Sequence, residues 1–205
     1  MATDDQSYRD RLKAFRADLS RPSEEIVQKH ILTGVPAAIS EDDYFELRDT
    51  VARHFNIHPV EVVLVGSCRV GFTLTEKLKQ KRPRYSRVAP DSDIDLAVVS
   101  PPLFARLWDG VFDYSRDDPQ FIRTHRGMTL RRTLFQGWVD LRGLPIGRRL
   151  GWVNDWVRFF DQMKSDRRFG SRKTSARVYL DWKRLAAYQQ IAVDACKQAA
   201  NGEKQ

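Results

Sequence analysis

The spacing of apolar residues changes several times along this 205-residue chain, and each change marks an expected element. Near the start, apolar positions recur at helical spacing, which predicts a helix within residues 1–20. We expect a second helix from about Ser23 to a point before Gly34. A third begins after Ser40, because an acid three residues further on completes a capping-box pattern, and it ends near Asn56.

Two short apolar runs lack the helical period. Val62–Val65 is continuous and rich in β-branched residues, and it ends abruptly at Gly66 and Ser67. This is typical of a buried strand, and we expect a short helix over 68–74 after it. Ile94–Val99 is the second run and predicts a second strand.

Helical periods return in the second half of the chain. We expect helices over Leu103–Phe112, Gly151–Lys164 and, as a long closing element, Arg177–Ala200. Residues 135–141 alternate as an amphipathic strand would, although nearby glycines also favour a loop. The stripe in the second of these helices predicts core packing, with a base-stacking platform as the alternative; it comprises Trp152, Trp156, Phe159 and Phe160.

These elements predict an α/β (α+β) fold with a small mixed β-sheet and helices before and after it. We expect one domain over 1–205. Within it, a helical extension covers 1–56, the core covers about 57–150, and C-terminal helices cover about 151–200.

Charge favours an anionic partner. The net charge is +8 and the isoelectric point is about 9.7, which favours nucleic acid or a polyphosphate over an aminoglycoside. Basic residues concentrate at 76–90, where we expect an exposed mobile loop, and at 123–149. For each segment the two alternatives are a surface that binds phosphate groups and a solvated surface without a binding role.

Several classes of protein are not expected. Cys68 and Cys196 lack disulfide or metal spacing, so we expect reduced thiols. His54 and His58 are four residues apart, but without a third ligand we expect surface or structural roles. No apolar run is long enough to span a membrane, and the N-terminus does not resemble a signal peptide, so we expect a cytoplasmic protein.

The most informative residues are two carboxylates on the second apolar run. Asp93 and Asp95 are one residue apart, so on a strand they point to the same face, where a divalent cation would offset their repulsion. Gly66 permits a sharp turn after the first strand, and amides following it could bind phosphate.

The segments VVLVGSCRVGFTL and SDIDLAVVS resemble the nucleotidyltransferase superfamily related to DNA polymerase β, here as a small bacterial-type member. The resemblance covers about 40 residues. It implies that Gly66 and Ser67 bind the triphosphate of an NTP or dNTP. It also implies that Asp93 and Asp95 hold Mg²⁺ or Mn²⁺ while a nucleoside monophosphate passes to a hydroxyl and pyrophosphate is released.

The superfamily pattern also has a third carboxylate on a later strand. Asp140 is the first candidate because it lies between apolar residues. Asp181, Asp113 or no third acid are the alternatives, and the absence of a third acid would put catalysis in doubt.

The acceptor is open. Similar small proteins modify antibiotics, tRNA ends or partner proteins, or make short oligonucleotide signals, often in bacterial defence systems. We expect a nucleotide or nucleic-acid acceptor, and a bulky acceptor would require a partner protein or a homo-oligomer. A non-catalytic nucleotide or nucleic-acid binder and an antitoxin-like interaction protein are the alternative functions.

Overall fold

The chain has an α+β fold with one four-stranded mixed sheet in the part that a computed structural model describes, residues 2–76, 82–143 and 151–202. The strand order is β1-β2-β4-β3, and β3 pairs antiparallel with β4. The strands are β1 (Val62–Val65), β2 (Ile94–Val99), β3 (Trp138–Val139) and β4 (Thr174–Tyr179).

Helices make up most of the remaining described residues, and a π-helical turn over Gln28–Leu32 continues the second of them. The α-helices are α1 (Ala2–Ala17), α2 (Ser23–Val27), α3 (Glu41–Phe55), α4 (Ser67–Val70), α5 (Pro101–Asp117), α6 (His125–Phe135), α7 (Gly151–Met163) and α8 (Trp182–Gly202).

The chain divides into two compact units. The first comprises Met1–Leu47, Leu64–Asp95 and Ala186–Gln205, and the second comprises Arg48–Val63 and Leu96–Leu185. The single domain inferred from sequence stays a prediction.

In the first unit, a buried carboxylate holds the chain after α1. Asp18 is 6% exposed. Its Oδ2 accepts hydrogen bonds from Lys29 Nζ at 2.6 Å and contacts His30 Nε2 at 2.8 Å, while Oδ1 lies 2.8 Å from Arg21 Nε. The hydrogen bonds from Lys29 and His30 lower the pKa of Asp18 to about 2. The carboxylate therefore stays charged and ties α1 to the π-helical turn.

An aromatic cluster forms much of the second unit's core. Trp156, Phe159 and Phe160 of α7 are buried, and Phe55 lies 4.5 Å from Trp156 between ring centroids. His54 stacks on Phe159 at 4.2 Å. These contacts confirm core packing for three residues of the aromatic stripe, whereas Trp152 is half-buried.

The two histidines four residues apart have structural roles, as expected. His54 Nε2 lies 3.1 Å from the carboxylate of Asp155. His58 precedes the 3₁₀ turn Pro59–Glu61, where its Nδ1 accepts a hydrogen bond from the Val60 amide.

The closing helix begins later than the sequence predicted. Residues 174–179 form strand β4, and α8 starts at Trp182. The expectation of one helix over Arg177–Ala200 was wrong because Thr174, Val178 and Tyr179 are β-branched or aromatic and pack in the sheet. Asp181 then caps α8, since its Oδ1 accepts from the Arg184 amide at 2.9 Å.

One further expectation was wrong after Gly66. The helix expected over 68–74 ends at Val70, because Gly71 has φ 96° and terminates it. The described part of the basic loop, 82–90, contains exposed and half-buried residues and makes backbone contacts, and the exposed mobile loop expected over 76–90 stays a prediction. Tyr85 donates its amide to Thr73 at 2.7 Å, and Phe72 bridges to Arg87. Residues 77–81 lie outside the described residues.

None of the described helices has the length and apolar character needed to cross a membrane.

We predict that Asp18→Asn destabilises the protein at neutral pH by on the order of 2 kcal/mol, because it removes the charge that Lys29 and His30 stabilise. The pKa of Asp18 is below its ordinary value, so the stabilisation is complete above about pH 4 and is lost as the pH falls towards about 2. Urea unfolding of the parent and the variant across this pH range measures the difference in their free energies of unfolding.

The matched control is Asp49→Asn, which removes an exposed ion pair to Arg53 and should cost less than about 0.5 kcal/mol. A constant difference between parent and Asp18→Asn from pH 7 to pH 2 would contradict this assignment.

Candidate functional site

The backbone turns sharply where β1 ends. Gly66 has φ 71° and ψ −158°, a conformation that is essentially restricted to glycine. A methyl group on Gly66 would lie 3.1 Å from Asp95 Oδ2 and 3.5 Å from Asp95 Cβ. The glycine therefore lets the backbone of one strand end lie directly against a carboxylate 29 positions along the chain.

Helix α4 follows this turn and has four residues, too few to be stable alone. Contacts elsewhere in the first unit hold it. The amides of Ala37 and Ala38 donate to Cys68 O at 3.2 and 3.1 Å. Arg69, which is 3% exposed, donates from Nε to Ile31 O at 2.8 Å. Burial lowers the pKa of the Arg69 guanidinium.

The acidic pair lies at the start of β2. Ile94 is fully buried and Leu96 is 2% exposed, whereas Asp93 is exposed and Asp95 half-buried. In Ile94–Val99, Asp95 is the one position that is not buried. The strand thus buries its apolar side chains and leaves both carboxylates accessible to solvent.

A tight turn lies immediately before Asp93. The Ser92 amide donates to Ala89 O, and the Ala89 amide donates to Ser92 Oγ, both at 3.0 Å. The order Ala-Pro-Asp-Ser is typical of such a turn, so this turn could be predicted from the sequence.

Cys68 joins the two halves of the site. Its side chain is fully buried, and its Sγ donates to Asp93 O at 3.2 Å and lies 3.7 Å from Ser92 O. The thiol is one residue after Ser67 and contacts the backbone just before the acidic strand. Nothing in its spacing predicted this role, because the contact depends on how the turn at Gly66 folds back.

The acidic pair is chemically compatible with Mg²⁺ or Mn²⁺. Among residues 2–76, 82–143 and 151–202, no group of three or more His, Cys, Asp or Glu side chains is placed to hold a metal ion. Mg²⁺ commonly takes only one or two carboxylates and completes its shell with water and phosphate oxygens. Asp93 and Asp95 therefore fit such an ion, whereas a closed site with four protein ligands is not present in the described residues.

Asp140, the first candidate for a third carboxylate, follows β3 in the second unit. Arg142 donates to it from Nε at 2.9 Å and Nη2 at 2.6 Å, and Arg177 Nε lies 3.4 Å away. Burial alone would raise the pKa of Asp140, but these guanidinium groups outweigh it and lower the pKa. A pairing of this kind disfavours a general base, and the catalytic role of Asp140 stays a prediction.

The other candidates occupy ordinary helical positions. Asp181 caps α8 and accepts from Arg184 Nη1 at 2.6 Å. Asp113 is exposed on α5.

The basic segments differ in what their side chains contact. Arg84 donates to Ala195 O, so it anchors its segment to α8. In the 123–149 segment, exposed arginines lie on and before α6 while Arg142 pairs with Asp140; Arg148 and Arg149 lie outside the described residues.

Comparison of the chain with protein-family models, curated proteins and solved structures found no match.

We predict that Gly66→Ala costs about 2 kcal/mol or more of folding stability, since the variant adds backbone strain and a close contact with Asp95. Gly34→Ala is the matched control: Gly34 also has positive φ, at 84°, but a methyl group there meets nothing within 4 Å. Denaturant unfolding of the two variants distinguishes the stability lost through the close contact with Asp95 from the stability lost through backbone strain. Equal losses would contradict the proposed tight approach.

Proposed function

We propose that this protein is a metal-dependent nucleotidyltransferase that transfers a nucleoside monophosphate from an NTP or dNTP to a hydroxyl and releases pyrophosphate. The supporting observation is the contact between the Gly66 turn and the Asp95 carboxylate. Because the turn and the carboxylate adjoin, one ligand that carries both phosphate groups and a metal ion would contact them together.

Each residue has a distinct role in this proposal. Gly66 lets the triphosphate approach the backbone, and the first amides of α4 with the Ser67 hydroxyl donate hydrogen bonds to phosphate oxygens. Asp93 and Asp95 would hold the ion. The bound ion would neutralise the phosphates and increase the acidity of the attacking hydroxyl.

The positions of the carboxylates explain why they suit an ion bound together with its substrate. Asp93 is exposed and Asp95 is half-buried, so both side chains would be accessible to an ion that also takes water and phosphate oxygens as ligands. During transfer, the acceptor oxygen bonds to the α-phosphorus, the bond to the bridging oxygen breaks, and pyrophosphate leaves. The chain's contribution is mainly positioning and charge.

The acceptor is proposed to be a nucleotide or a nucleic acid. The net charge of +8 favours an anionic substrate. Short oligonucleotide products, such as those used in bacterial defence, are compatible with this acceptor class.

The test is release of pyrophosphate from each NTP and dNTP with Mg²⁺ or Mn²⁺, with and without RNA or DNA. We expect turnover by the parent, and at least about a hundredfold loss in Asp93→Asn and Asp95→Asn. Asp91→Asn is the matched control, because Asp91 is an exposed acid two positions before Asp93, and its activity should remain.

Resolving the products identifies the acceptor: a ladder indicates polymerisation and a single adduct indicates modification of one acceptor. If the protein binds nucleotides but releases no pyrophosphate under any condition, its function is that of a non-catalytic nucleotide binder and not that of an enzyme. Full activity of both Asp93→Asn and Asp95→Asn would show that the active site lies elsewhere.

A further inference from the structure

An apolar groove lies in the second unit between α5 and α6. Its volume is about 650 Å³. Trp108, Phe112 and Met128 line it, and each has about half of its surface exposed. Phe135 lines its end and is 90% exposed. A large exposed apolar surface often marks an interaction site. None of the residues that line this groove belongs to the candidate nucleotide site.

The groove is shaped by a close contact between the start of α6 and the 3₁₀ turn Phe121–Arg123 that precedes it. A methyl group on Gly127 of α6 would lie 2.1 Å from Phe121 O, so only glycine permits this approach. Tyr114 of α5 packs edge-on against Phe121, with ring centroids 5.1 Å apart. The floor and both walls are therefore already in place before any partner binds.

The walls have the geometry of a helix-binding groove. Trp108, Val111, Phe112 and Ser115 line it from α5. This spacing of three, four and seven positions presents one helix face over about 10 Å. An amphipathic helix packs into such a surface through anchors at the same spacing. A small ligand confined to the cavity would leave most of Phe135 in water.

Charge defines the partner. Among the described residues, the charged side chains that line the groove are Arg131 and Arg132. Both are exposed, and neither has an ion pair in the described part of the chain. Arg116 adds a third guanidinium group, 6.0 Å from the Phe112 ring centre. A second copy docked through the same face would oppose these arginines with their own equivalents.

We propose that the groove between α5 and α6 binds an amphipathic helix of a partner protein, with apolar anchors against Trp108 and Phe112 and acidic residues facing Arg131 and Arg132. Electrostatic complementarity would select this partner over basic or neutral helices. The proposal is independent of nucleotidyl transfer.

The test uses the full chain and a displayed library of 16-residue helices. Apolar residues at the anchor positions are randomised, and flanking positions carry either Glu or Lys. We expect enrichment of Glu-flanked helices. Fluorescence anisotropy of the enriched peptides should show binding at least about tenfold weaker to Phe112→Glu and to the Arg131→Glu/Arg132→Glu variant.

Two matched controls distinguish binding at the groove from nonspecific binding to the protein surface. Phe45→Glu changes a Phe that is 66% exposed on α3, and Arg158→Glu reverses an exposed charge on α7. Both should bind the enriched peptides as the parent does, and far-UV circular dichroism checks that every variant is folded.

The proposal is overturned if no helix is enriched, if Lys-flanked helices are enriched equally, or if Phe112→Glu binds unchanged. It is also overturned if the parent self-associates in sedimentation and Phe112→Glu abolishes this, since the occupant is then a second copy. Decanoate binding without helix enrichment would assign the groove to a small apolar anion.

Discussion

The candidate site depends on one close approach, between the backbone at Gly66 and the carboxylate of Asp95. A methyl group at Gly66 would come within 3.1 Å of Asp95 Oδ2. Any side chain at this position would need a strained backbone and a displaced carboxylate at the same time. The glycine is thus a requirement of the geometry that brings a turn and an acidic strand together.

This approach is maintained by groups that would not themselves contact a nucleotide. Cys68 hydrogen-bonds the backbone at Asp93, and Arg69 hydrogen-bonds Ile31 O. A four-residue helix gains little from its own hydrogen bonds, so these tertiary contacts fix its direction. Preorganisation of this kind reduces the cost of ordering the site when a charged ligand binds.

The sequence predicted the local elements of the site well because their signals are local. Val62–Val65 and Ile94–Val99 have strand patterns, and the turn at Gly66 needs glycine. The sequence did not predict β4, because Tyr179 continues the helical spacing of Trp182, Leu185 and Tyr188, which favoured one helix over the whole segment. It also could not predict the contacts of Cys68 or Asp140, which depend on residues brought together only by folding.

The same limit applies to the groove between α5 and α6. The helical pattern of Leu103–Phe112 indicated a helix, but the exposure of Trp108 and Phe112 depends on which neighbours cover them. From the sequence, only the net charge of +8 could be used. The structure shows which arginines are paired: Arg142 forms an ion pair with Asp140, whereas Arg131 lines the groove.

The central claim is that the Gly-Ser turn and the acidic strand bind one ligand. A double-mutant cycle with Ser67→Ala and Asp95→Asn tests it most directly, with calorimetric binding of the four α,β-methylene nucleoside triphosphates in the presence of Mg²⁺. We expect binding by the parent to at least one of them and a coupling energy of about 1 kcal/mol or more between the two substitutions. Additive effects, or no binding by the parent, would contradict it.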